Sequence, residues 1–487
     1  MAHVAIVDPD STRLPVNREP LARIEANASG TGAWPHMEDD MDRSSRVHEW
    51  ILVSLIPVAA AFAGCNAPVS TAPELVATAA ASAVVFAGHQ VEPVGRFRGI
   101  DYVRHTGRFE GSTSLGAFRV PYEIFAPADP GRGNRTVLFE PPHFAFGAIG
   151  RETVFGRDRL FGQGYSYAAV GFGANGLNLL DPSASDAVLE GVPVESPGTI
   201  KFGLPPDEEI QFVRALETAS FATAALGSVD RIYAYGASQT AGALLELLHA
   251  PGGPGLFDLT LLHVAMWRPP FAAGEFQRIE GEFVPLSGVG RVLFVESEAD
   301  QIVSESESFR LAADLPDYRV WEVAGAAHLP TAANPLDHSA VMRAALAAGD
   351  RWIREGVEPP PSILIEDAGA GEIDPVYGFP TGIARDDDLN ARGGVRLLDL
   401  HVGRARYIAA DFVADPLSGA MVDLACEPRP GNESVAPRFA SHGEYVAPFV
   451  RQADRLRQAG YLLIGDRAAL IRAAARSEVG MPGSCGP

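Results

Sequence analysis

Ser238 stands in the stretch YAYGASQTAG (233–242), between a hydrophobic run and a helix-forming one. A strand that ends in Gly-x-Ser and turns at once into a helix lifts the serine onto a tight bend, its hydroxyl clear of both elements. Gly236 fits the small position two residues before the serine, and Thr240 stands two residues after it, where glycine is usual. A serine also serves as a helix N-cap, so this stretch alone leaves a nucleophile and a cap both open. A serine hydroxyl needs a base to attack, and the base needs an acid to orient it. Both follow in order, each after a hydrophobic run. RVLFVESEADQIV (291–303) ends in Glu296, Glu298 and Asp300, and VWEVAGAAHLP (320–330) carries His328 after a loop of small residues. Asp300, with Val303 behind it, is the first choice of acid and Glu298 the alternative; Glu296 belongs to the strand. The chemistry of such a set is acyl transfer through a covalent intermediate.

Acyl transfer also needs N–H donors aimed at the developing oxyanion. One candidate is the backbone N–H of Gln239, at the start of the helix after Ser238. The other comes from PPHFAFG (141–147), where Pro141 and Pro142 lack an N–H, leaving His143 or Phe144. His143 is also open to a role as a second base or metal ligand. His105, His249, His263, His338, His401 and His442 read as surface or core residues.

These residues need a scaffold. FRVPYEIFAPAD (118–129), RTVLFEPPH (135–143), YSYAAVGFGANG (165–176), RIYAYG, LTLLHVAMW, VGRVLFVESEAD and YRVWEVAGAAH read as strands. Residues 206–226, QTAGALLELLHA, SESFRLAADL and DHSAVMRAALAAGDRWIREG read as helices. Short buried strands alternating with helices give an α/β fold, a mostly parallel central sheet with helices on both faces. After Pro359-Pro360-Pro361 the pattern changes: short strands and loops over 362–425, then helix over 441–477. Neither part has an obvious core of its own, so residues 359–480 are expected as a C-terminal extension packed on a core of residues 95–358.

Of 487 residues, 39 are basic and 61 acidic, a formal charge of −22. Nucleic acid needs a basic face, so it is excluded as a partner. Three cysteines, Cys65, Cys426 and Cys485, without a Cys-x-x-Cys pair, argue against zinc. Arg43 and Arg46 precede an apolar run over 50–63 that is too short to span a bilayer. Phe62-Ala63-Gly64-Cys65 ends it, similar to the lipobox of bacterial lipoproteins with Phe62 where leucine is more usual. Residues 41–65 therefore read as a lipoprotein-type signal peptide, and Cys65 as the lipidated residue. Residues 1–40 read as an upstream extension before a true start at Met41, and 66–94 as a tether. The expectation is export and a lipid anchor on a membrane surface, with plain secretion the alternative. In an exported chain Cys426 and Cys485 could pair.

YAYGASQTAG, VESEAD, VAGAAH, DRWIREGVEPPPS, GGVRL after ARDDDLNA, and the tail SHGEYVAPFVRQADRLRQAGYLL together resemble the bacterial alpha/beta hydrolase domain family, exported esterase-like proteins. The resemblance covers roughly residues 95–480. It implies an α/β-hydrolase fold, a Ser–acid–His triad and no cofactor. It carries over to Ser238 and His328, and leaves Glu298 and Asp300 both open as the acid. The expected activity is cleavage of a small carboxylic ester. Phe144, Phe146, Phe172, Trp267 and Phe271 near the expected mouth suggest an apolar part in that ester. No protein partner is expected. The same residues also serve peptidase, lactonase and acyltransferase activities, and the further alternatives are a non-catalytic, surface-anchored binding lipoprotein on the same fold, and a metallohydrolase.

Overall fold

The structure, a computed structural model, describes residues 85–113, 116–141, 148–170, 229–249, 253–265, 288–303, 306–369, 371–413, 417–427 and 438–484. They belong to one compact unit, Ala79–Pro487. Its frame is a nine-stranded sheet. In chain order the strands are β1 (Val85–Phe97), β2 (Ile100–Thr113), β3 (Gly116–Pro127), β4 (Thr136–Glu140), β5 (Ser166–Val170), β6 (Arg231–Ala237), β7 (Leu259–His263), β8 (Arg291–Ser297) and β9 (Tyr318–Val323). Their spatial order is β1-β2-β3-β5-β4-β6-β7-β8-β9. β1, β2 and β3 run antiparallel at one edge, and β5, β4, β6, β7, β8 and β9 are parallel.

The parallel strands are short apolar runs because both of their faces are covered. Every residue of β4, β5, β7 and β9 is buried. Successive side chains go to opposite faces: Val292 and Phe294 join the core on one side, Leu293 and Val295 that on the other. Helix α2 (Gln239–His249) covers the first face with Leu244, Leu245 and Leu248. Helix α4 (Ser339–Glu355) covers the second with Val341, Ala345 and Trp352. Between them in sequence lies the short helix α3 (Glu298–Val303), directly after β8. The short helix α1 (Arg157–Gly162) precedes β5.

β3 to β9, α2 and α4 lie where the sequence places them, and β1, β2, α1 and α3 are elements that the sequence reading does not contain. Residues 85–94, expected within a tether, are strand β1, which pairs with β2 through residues such as Val91 opposite His105. Ser306–Ala312, expected as a helix, is one of the 3-10 type. The helix expected over 206–226 lies outside the described residues.

Beyond α4 the chain returns to the sheet. Glu322 N–H donates to the Ile363 carbonyl at 3.0 Å, and Val395 N–H to the Glu322 carbonyl at 2.7 Å, so residues 363 and 395 line the outer side of β9. A two-stranded ribbon, β10 (Ala405–Ile408) with β11 (Ala420–Asp423), follows the helical turn α5 (Leu398–His401). The tail forms two helices, α6 (His442–Ala459) and α7 (Ile464–Arg476), parted at Gly460, whose φ of +89° ends α6. Phe439, Tyr445, Phe449 and Leu456 pack into the same core as α4, which explains why residues 359–480 show no core of their own in sequence. Cys426 is disulfide-bonded; Ser484 O lies 3.7 Å from its sulfur. Cys485 and Cys65 lie outside the described residues. Among the described residues no helix is long and apolar enough to cross a membrane.

Candidate active site

Ser238 sits between the last residue of β6 and the first of α2, with φ at +55°. A non-glycine residue in the left-handed region carries strain that the surroundings must hold in place. Several bonds hold it. Ser238 N–H donates to the His263 carbonyl on β7 at 2.8 Å, and the Ser238 carbonyl accepts from Gly242 N–H at 3.1 Å. Gly236 is required by a close approach: a Cβ there would lie 2.7 Å from the Thr240 carbonyl oxygen and the Ala241 nitrogen. Thr240, the residue where glycine is usual, folds back on the bend. Its Oγ1 accepts from Ala237 N–H at 3.0 Å and donates to the Ala237 carbonyl at 2.9 Å.

His328 reaches the bend from the loop after β9. Its Nε2 lies 2.8 Å from Ser238 Oγ, and its Nδ1 lies 2.6 Å from Asp300 Oδ1. With the ring proton on Nδ1, donated to a carboxylate that can only accept, Nε2 is left to accept the serine proton. All three residues are buried, Asp300 completely. Ser297, the last residue of β8, donates its hydroxyl to Asp300 Oδ2 at 2.5 Å.

The other two carboxylates of this segment go elsewhere. Glu298 accepts the Gly325 N–H at 2.6 Å on one oxygen and Arg385 Nη1 at 2.5 Å on the other. The structure therefore brings Asp300, and not Glu298, onto His328. Glu296 stays in the strand and accepts the Ala265 N–H at 3.1 Å. Burial, with the charge of Asp300 beside it, holds the Glu296 carboxyl well above the usual carboxylate range.

Gln239 opens α2, so its N–H belongs to a helical first turn, whose donors have no carbonyl partner within the helix. β4 ends at Glu140 and Pro141 follows. His143 and Phe144 lie outside the described residues, as do Phe146, Phe172, Trp267 and Phe271. Among the described residues no group of three or more His, Cys, Asp or Glu side chains could hold a metal.

Two histidines read from sequence as surface or core residues lie behind this arrangement. His263 Nε2 is 2.5 Å from His338 Nδ1, and the Tyr235 hydroxyl is 2.9 Å from His263 Nδ1. Burial pulls both imidazoles below their ordinary range, His263 furthest. Their positions, at the end of β7 and just before α4, gave no sequence signal, because neither sits in a motif. Glu140 is similar. It is buried at the end of β4, accepts Tyr167 Oη–H and Gly150 N–H, and is pushed up to about 7 by burial.

A nine-stranded sheet with this crossover order, and a serine on the bend after β6, define a class of protein. The family described as alpha/beta hydrolase domain matches residues 122–472, well over half of the chain. The chain belongs to that family.

No curated protein matches it. Among solved structures it is similar to a dienelactone hydrolase-like promiscuous phosphotriesterase from metagenomic libraries, at 15% identity over 45% of this chain and 81% of that one, with a TM-score of 0.27. It is similar to a thermostable esterase, at 13% identity over 49% and 67%, TM-score 0.27. It is also similar to an S-formylglutathione hydrolase from Agrobacterium tumefaciens, at 12% identity over 47% and 88%, TM-score 0.31. Likenesses this distant carry nothing about activity.

Proposed function

We propose that this protein hydrolyses carboxylic esters through an acyl-enzyme on Ser238. One observation carries the reading: the continuous chain Ser238 Oγ, His328 Nε2, His328 Nδ1, Asp300 Oδ1, with links of 2.8 and 2.6 Å. Ser238 Oγ attacks the acyl carbon as its proton passes to His328 Nε2, and Asp300 stabilises the imidazolium that forms. The oxyanion takes a bond from Gln239 N–H and a second from the loop holding His143 and Phe144. His328 returns the proton to the leaving alkoxide, and the alcohol departs. Water then gives a proton to His328 and attacks the acyl carbon. Collapse releases the acid and restores the Ser238 hydroxyl.

The substrate in this reading is a small ester with an apolar part. Export and a lipid anchor on Cys65 complete it. A disulfide at Cys426 supports an oxidising compartment, where such bonds persist.

The test is incubation with a fluorophosphonate probe, with the adduct mapped by mass spectrometry beside a Ser238→Ala control. A single adduct on Ser238 is expected. A folded protein that takes no adduct would sink the reading and leave a surface-anchored binding lipoprotein in its place.

A further inference from the structure

Glu298 takes no part in the serine–histidine–aspartate chain, yet it touches the supports of two of its members. It lies two residues before Asp300 on α3, and its Oε2 accepts the N–H of Gly325, three residues before His328. One buried carboxylate thus ties the helix carrying the acid to the loop carrying the base. A second tie runs from Ala299 N–H to the Ala326 carbonyl at 3.2 Å. The Gly325 carbonyl is held in turn by Asn334 Nδ2 at 2.9 Å.

Glu298 is itself fixed from outside the sheet. Arg385, far along the C-terminal part, places Nη1 on Glu298 Oε1 at 2.5 Å and Nη2 on Asp374 Oδ2 at 2.6 Å. Asp374 also accepts Thr381 Oγ1–H at 2.6 Å and Val376 N–H at 2.8 Å. The Tyr377 ring centroid lies 5.5 Å from the guanidinium carbon. The three ionic side chains are almost fully removed from water, with 0% of Glu298, 4% of Arg385 and 1% of Asp374 exposed. A buried ion chain of this kind adds little net stability against an apolar replacement, because desolvation consumes the Coulomb gain. What it supplies is fixed geometry, since each charge has one place where it is satisfied.

We propose that Glu298 and Arg385 are positioning residues that set the approach of His328 to Asp300, which makes the segment from Asp374 to Arg385 a working part of the site. The proposal rests on the serine-hydrolase reading above. A carboxylate that loses its arginine draws water or swings away, and the Gly325 N–H it holds moves with it. Displacement of a reacting group by about 1 Å costs on the order of 100-fold in rate.

The experiment compares the full-length protein with Arg385→Lys, Glu298→Gln and a control, Arg438→Lys. Arg438, itself buried, pairs at 2.5 Å with the partly exposed Asp388 and does not touch the Ser238, His328 or Asp300 contacts given above. Four quantities are read: the labelling rate of Ser238 by fluorophosphonate, kcat and KM on p-nitrophenyl butyrate, the far-downfield proton resonance of the His328–Asp300 bond, and Tm. Arg385→Lys is expected to lower kcat and the labelling rate by about 100-fold with KM little changed, and to shift or broaden the downfield resonance. Glu298→Gln keeps an oxygen for Gly325 N–H, so a smaller loss in the same direction is expected; it decides the matter if Arg385→Lys does not fold. Arg438→Lys is expected to lower Tm and leave kcat and the resonance in place. Wild-type labelling and an unmoved resonance in the Arg385 or Glu298 variant would overturn the positioning role and leave the hydrolase reading standing. Absence of a Ser238 adduct in the wild-type protein would overturn both.

Discussion

His328 Nδ1 and Asp300 Oδ1 lie 2.6 Å apart, joined by a loop after β9 and a helix after β8. The carboxylate holds the ring in the tautomer that leaves Nε2 free to accept. Asp300→Asn keeps the size and reverses the preference, because an amide nitrogen can donate to Nδ1. A fall in kcat of roughly 10⁴ is expected, with the fold intact by circular dichroism. Ser297→Ala, which removes the hydroxyl on Asp300 Oδ2, should lower kcat less.

Thr240 closes the bend that Ser238 occupies. Thr240→Val removes both of its bonds to Ala237 and leaves a buried N–H and carbonyl unmatched, at a cost of about 1–3 kcal/mol. Thr240→Ser retains them and should stay near wild type in Tm. Gly236→Ala drives a Cβ against backbone atoms that cannot yield, so loss of Ser238 labelling is expected.

Glu140 gives a pH dependence of definite sign. Burial raises its carboxyl from an ordinary 4.5 to about 7, against the lowering effects of Tyr167, Gly150 and Arg151. Between those values the folded state keeps a proton that the unfolded chain has released. Stability therefore falls as pH rises through this window, by on the order of 3 kcal/mol, and levels off above it. Denaturant midpoints of wild type minus Glu140→Gln should trace that fall.

His263 and His338 act in the opposite sense. Burial lowers both from the ordinary 6.5, so below that value the unfolded chain binds protons that the folded state refuses. Stability is fully present above pH 6.5 and is lost as pH falls. A His338→Asn variant should lose less stability between pH 7 and 5 than wild type, read from the same denaturant midpoints.

The proposed lipid anchor has its own test. Expressed in a bacterial host with radiolabelled palmitate, the wild-type chain should carry label into the membrane fraction, and Cys65→Ala should carry none. Label in both would remove Cys65 from the proposal.

The features legible in the sequence were those encoded over a few neighbouring residues. β6 running through Gly236 to Ser238 and into α2 is local: apolar period, small residue, helix former. The run of β8 into two carboxylates and of β9 into a small-residue loop with His328 is local in the same way, so the order serine, acid, histidine could be read. β1 was missed because its strand character comes from pairing with β2, and a polar segment such as GHQVEPVG has little of its own. Which carboxylate meets His328 was decided only by tertiary structure. Glu298 and Asp300 sit two residues apart on one helical turn, which sends their side chains roughly 200° apart around the axis. One faces Gly325 and Arg385 and the other faces His328, a division set by packing that no spacing records. The pairing of His263 with His338 is of the same kind: two residues 75 positions apart meet because β7 and α4 share one face of the sheet.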